Sequence, residues 1–180
     1  MVTRAASRRA LGRDQEAPSV ARSLRRARGA AEARRQSVAF FAGQSREQMR
    51  RMYLEAWRKF SEKQPLEPLE AQIAAVIAEH PEYLGWIEAG DAALAAEFTP
   101  EKGQQNPFLH MGLHLAIREQ VATDRPAGIR EIHRALTTRF GDAHTAEHTM
   151  LDALAETLWD AQRTNRLPDE QAYLERLRKL

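Results

Sequence analysis

From Ser45 to the C-terminal Leu180, apolar residues return every three or four positions, in runs cut at Pro65, Pro81, Pro126, Gly141 and Pro168. That spacing traces one face of an α-helix, and the interruptions are residues that end or begin one. Such a chain buries its apolar atoms by laying helices against one another. No alternating strand pattern, glycine-rich phosphate loop or internal repeat runs against this reading. The expected fold is all-α, a compact bundle of about five to seven helices with short connections, confined to residues 45–180.

The individual helices can be placed from their caps. Ser45-Arg46-Glu47-Gln48 opens the first with a capping-box pattern, and Met49, Met52, Tyr53, Ala56, Trp57 and Phe60 form its apolar stripe. A second runs from about Leu66 to His80, ended by Pro81. Short helical turns are expected around Tyr83–Ile87 and Ala92–Phe98, followed by a polar loop from Thr99 to Gln105. Asn106-Pro107 starts the next helix, with Asn as N-cap and Pro in the first turn, running to about Thr123. Another begins near residues 125–127 and stops at Gly141. Asp142 caps a long helix reaching about Asn165, and Pro168 opens the last, 168–178. Trp57, Trp86 and Trp159 are expected in the core.

The formal charge of +2 conceals two unlike segments. Residues 1–44 hold ten Arg against three acidic residues, net +7, whereas 45–180 hold 17 basic and 22 acidic residues, net −5. The mildly acidic domain is a poor fit to phosphate-dominated nucleic-acid binding. Residues 1–40 carry almost no large apolar side chains, too few to offset chain entropy, and are expected to be a disordered basic extension. A basic arm or a transit peptide would share that composition. The reading preferred here is an upstream extension of the frame, with the native start at Val38. There are no cysteines, which excludes disulfides, thiolate metal sites and cysteine nucleophiles and fits a cytoplasmic location. No stretch approaches the ~18 apolar residues of a membrane span. The sequence names no partner and leaves the oligomeric state open, a homo-oligomer included.

Chemistry concentrates in the histidines. Four of the six form two pairs four residues apart, His110/His114 and His144/His148. Residues at that spacing share a helix face, the way one helix offers two imidazoles to one ion. The first pair shares its stripe with Ile117 and Val121, the second with Leu151 and Ala155, so both are expected to face apolar surface. One helix separates the two bearing the pairs; with short connections and antiparallel neighbours, both pairs then lie at one end of the bundle. His80, flanked by Glu79 and Glu82, is a candidate to join them, and Glu147 a candidate ligand or base. Imidazole suits several transition metals, zinc and iron among them. The expected metal set is His110, His114, His144 and His148, with His80 and Glu147 as additions. His144-Thr-Ala-Glu147-His148 also matches the H-x-x-E-H order of inverted zincin peptidases, which would make Glu147 a catalytic base; no distant third ligand is evident.

Several longer motifs carry a family resemblance: Asn106 through Gln120, Pro126-Ala-Gly-Ile-Arg130, Gly141-Asp142 with its two histidines, Leu158-Trp-Asp-Ala-Gln162, Pro168 through Glu175 and Leu66-Glu-Pro-Leu-Glu70. Together, over about residues 38–180, they resemble an uncharacterised bacterial family, domain of unknown function 1841. The resemblance implies domain boundaries and no activity. Three functions stay open from the sequence: a His cluster that binds a transition metal, a non-catalytic interaction protein with structural histidines, and a metal-dependent hydrolase using Glu147.

Overall fold

The computed structural model describes residues 45–98 and 105–180. The expectations for the N-terminal extension and for most of the 99–105 loop lie outside them. Eight α-helices and one 3-10 turn follow in order: α1 Arg46–Ser61, α2 Pro68–Ala78, the 3-10 turn Pro81–Tyr83, α3 Leu84–Glu88, α4 Asp91–Ala95, α5 Pro107–Thr123, α6 Ile129–Phe140, α7 Ala143–Thr164 and α8 Glu170–Leu177. There is no strand among the described residues. The all-α expectation holds, and the two short helices α3 and α4 take the count past seven.

Most ends lie where the caps put them. The Asn106 side chain accepts from the Phe108 and Leu109 amides, and Asp142 accepts from Thr145, fixing the first turns of α5 and α7. Asp169 does the same for α8 through the Ala172 amide. α6 ends at Gly141, at φ 75°, in the left-handed region that glycine enters without steric penalty. Two starts differ from expectation. α2 begins at Pro68, not Leu66, because a proline fits the first turn while the residue before it is steered away from helical geometry. α6 begins at Ile129, since Asp124 Oδ1 accepts from the amides of Gly128 and Arg130 and holds the preceding residues in a turn.

Two apolar clusters form the interior. One joins Ile117, Ile129, Leu136, Met150, Leu154 and Leu177 from α5 to α8; the other joins Tyr53, Ile73, Ile77, Ile87, Phe108 and Met111 from α1 to α5. α5 contributes to both and runs between them. Buried Arg50 ties α1 to the end of α4, donating to the carbonyls of Ala93, Leu94 and Ala96 and lying over Phe98 and Phe108. That arrangement offsets desolvation of the guanidinium and satisfies the open end of a short helix.

One core expectation is overturned. Trp159 is 60% exposed, with the Arg163 guanidinium over its ring at 5.0 Å. It lies two residues beyond buried Thr157, about 200° round the helix, so it points away from the face that packs. Trp57 and Trp86 are partly buried at the rim, on Phe60 and Phe98 respectively.

Candidate metal centre

The site lies where the C-terminal end of α2 and the N-terminal turns of α5 and α7 meet. Pro81 supplies the first ring. A residue before proline is held out of the α region, and His80 leaves the helix at φ −125°, ψ 65°. Its side chain turns inward and is fully buried. His110 and His114 stand one turn apart on α5, and His144 and His148 one turn apart on α7. The five rings pack with centroid separations from 4.3 Å for His144–His148 to 5.5 Å for His80–His148 among their contacts.

Four of them converge through Nε2. His110 Nε2 is 3.1 Å from His80 Nε2 and 3.1 Å from His148 Nε2; His80 Nε2 is 3.2 Å from His114 Nε2. An ion at a typical metal–imidazole distance of ~2.0–2.1 Å would set neighbouring donor atoms ~2.9–3.4 Å apart, from right-angled to tetrahedral geometry. The observed spacing falls inside that range. His80, His110, His114 and His148 form a group whose ligand atoms all lie within 4.8 Å of one another, and His114, His144 and Glu147 form a second.

Proton counting shows what such a cluster requires. A neutral imidazole carries one N–H. His80 Nδ1 lies 2.7 Å from the Val76 carbonyl oxygen and His148 Nδ1 3.1 Å from that of His144. A carbonyl only accepts, so both protons are on Nδ1. His114 Nδ1 is 2.8 Å from Glu147 Oε2 and donates to that carboxylate. Three Nε2 atoms therefore present lone pairs, and His110 can contribute one proton among them. The His80–His114 contact has none. A proton or a cation is needed to make this arrangement attractive, and a proton is disfavoured. Burial lowers the pKa of His80, His148 and His110, with positive-charge repulsion among the rings adding to it; for His110 the value falls to about 4. The cluster can hold a metal ion, with Nδ1 anchored to carbonyl or carboxylate as metal-binding imidazoles usually are.

The acidic side of the site is organised by Arg118, one turn beyond His114. Its Nε and Nη2 donate to Glu147 at 2.9–3.0 Å, and Nη2 also donates to Glu79. Burial pushes the Glu147 carboxyl upward, but the bonds from His114 and Arg118 outweigh it and hold the group below its ordinary range. His144 Nδ1 lies 3.2 Å from Glu79 Oε2 yet is buried without a hydrogen-bond partner.

The sequence expectations divide accordingly. His110, His114 and His148 come together, and His80 joins them at Nε2. His144 packs against the same rings but belongs to the second group, with His114 and Glu147. Glu147 does reach the site, though both its oxygens face cationic or donor groups. Glu82 is exposed. His133, on α6, is in neither group. Two further side chains take part. Arg118, on the His114 stripe four residues further on, is from sequence either a charge partner to Glu147 or Asp142 or a surface salt bridge; it pairs with Glu147 and Glu79. Tyr83, three residues after His80, stacks on that ring at 5.7 Å and donates to Gln105.

Fold and site together define a small helical domain built around a converging histidine cluster. The chain belongs to the family described as Domain of unknown function (DUF1841), whose model matches residues 45–179. No curated protein and no solved structure matches it. No helix among the described residues is long and apolar enough to cross a membrane.

Proposed function

We propose that this domain binds one transition-metal ion through Nε2 of His80, His110, His114 and His148. The observation that carries the reading is the meeting of four Nε2 atoms, three of them bearing lone pairs because their Nδ1 protons are committed elsewhere. Zinc and iron are the candidate metals, since imidazole donors suit both. The all-nitrogen set, with no cysteine in the chain, suits work in a cytoplasm.

The ion would fasten the bundle. α2 and α7 both pack on α5 but touch each other little outside the site; His80 comes from the first and His148 from the second. Binding therefore couples to folding. The peptidase reading draws no support from Glu147, whose oxygens are engaged by His114 and Arg118 and whose geometry is that of a group orienting an imidazole. Elemental analysis of the purified protein tests the proposal. One ion per chain is expected, falling to background in the His110→Ala/His148→Ala variant. A trace of metal indifferent to those substitutions would overturn it.

A further inference from the structure

α7 carries a second pattern on the side that the core does not use. Asp152, Glu156, Trp159 and Arg163 recur at i, i+4, i+7 and i+11, the spacing that lines residues up along one helix face, and all four are exposed. Ala155 and Gln162, also exposed, flank the indole, and Leu167, just past the end of the helix, is 90% exposed. A tryptophan left largely in water on the outside of a helix is the kind of side chain enriched where proteins meet.

Charge along the stripe changes sign at that tryptophan. Asp152 and Glu156 before it are acidic; Arg163 after it is basic, and exposed Arg166 follows past the helix cap. Pairing within the chain is loose: Glu156 is 3.4 Å from Arg176 and Arg163 is 3.6 Å from Asp160, with the Glu156 and Arg163 side chains each 60% exposed. A stripe with opposite charges on the two sides of an apolar residue is its own complement when a second copy lies on it antiparallel. Rotation by half a turn about an axis through Trp159 sets that indole against Trp159 of the second copy and brings Glu156 of each chain opposite Arg163 of the other. Asp152 and Arg166, each seven residues from Trp159, are matched in the same way. An anionic membrane would meet repulsion from the acidic half, and a uniformly basic partner from the other.

We propose that the outer face of α7 is a homodimer interface, formed by antiparallel pairing of residues 152–163 of two copies across Trp159. Twelve helical residues span about 18 Å, which is short for a standard interface, so the dimer is a weak one with a Kd of about 0.1 mM.

Sedimentation equilibrium of the full chain at low salt, up to about 0.5 mM protein, tests this, and a monomer–dimer equilibrium is expected. Trp159→Ala, Glu156→Arg and Arg163→Glu all change exposed side chains and should keep the helical circular-dichroism spectrum. Each should weaken self-association about tenfold or more. Mixing the two charge reversals is the sharpest arm. Neither pairs well with itself, but Glu156→Arg and Arg163→Glu chains restore both ion pairs between them, so their equimolar mixture should sediment as a dimer. The inference is overturned by a parent that stays monomeric at the highest concentration, by a dimer indifferent to Trp159→Ala, or by a mixture of the two reversals that stays monomeric. Binding of the monomeric parent to vesicles of anionic lipid, lost in Trp159→Ala, would overturn it as well and assign the face to a membrane.

Discussion

Loading the four-histidine site should raise the melting temperature by about 10 °C, and His110→Ala should remove nearly all of that rise. His110 is the suitable ring to delete because it is only partly buried, and no hydrogen bond to backbone or carboxylate is lost with it. An ion that binds the folded state alone, at a free concentration 100 times its Kd, stabilises it by about 2.7 kcal/mol. Unfolding about 135 ordered residues releases an entropy of about 2.1 cal/mol/K each, or roughly 0.28 kcal/mol/K, so the shift is about 10 °C. If losing one of four ligands weakens binding about 100-fold, the same ion concentration yields only about 0.4 kcal/mol, or between 1 and 2 °C. Differential scanning calorimetry on chelator-treated protein, with and without added zinc, reads both numbers. Equal shifts in parent and variant, or no shift in the parent, would refute the coupling of this site to the fold.

Four further outcomes follow from the same geometry. Glu147→Gln should weaken metal binding by about 10- to 100-fold with the ligands intact, because the carboxylate orients His114; competition with a metal indicator measures it. In metal-free protein, the lowered pKa values of His80, His110 and His148 mean that the unfolded chain binds more protons below pH 6.5. Stability should therefore be level above about pH 6.5 and fall as pH drops toward 4, which urea midpoints across that range would show. Arg50→Ala should cost roughly 2–4 kcal/mol in chemical denaturation, since three carbonyls lose a charged donor. Trp159→Ala should stay within ~0.5 kcal/mol of the parent, whereas Met150→Ala, at a fully buried position, should cost roughly 2–5 kcal/mol.

Local chemistry explains what was legible in the sequence. Asn106-Pro107 and Asp142 act on their own neighbours, so helix starts could be placed to within a residue or two. The i,i+4 histidine pairs show their common face directly, and short connections were enough to bring the two helices together. His80 was harder, because its inward turn depends on Pro81 breaking the helix rather than on helical periodicity. Arg118 could be offered to Glu147 only as one option beside a surface salt bridge, since its partners are 29 and 39 residues away and only tertiary packing brings three helices to one guanidinium. Trp159 was misplaced for a related reason. It extends an apolar stripe on paper, but burial on α7 follows the line through Met150, Leu154 and Thr157, which leaves it on the far side.

The most direct test of the account is anomalous X-ray scattering from crystals of protein purified without added metal. One peak is expected, about 2.0–2.1 Å from Nε2 of each of His80, His110, His114 and His148. The account is contradicted if the rings are ordered in the same places with hydrogen bonds among them and no anomalous density at their centre.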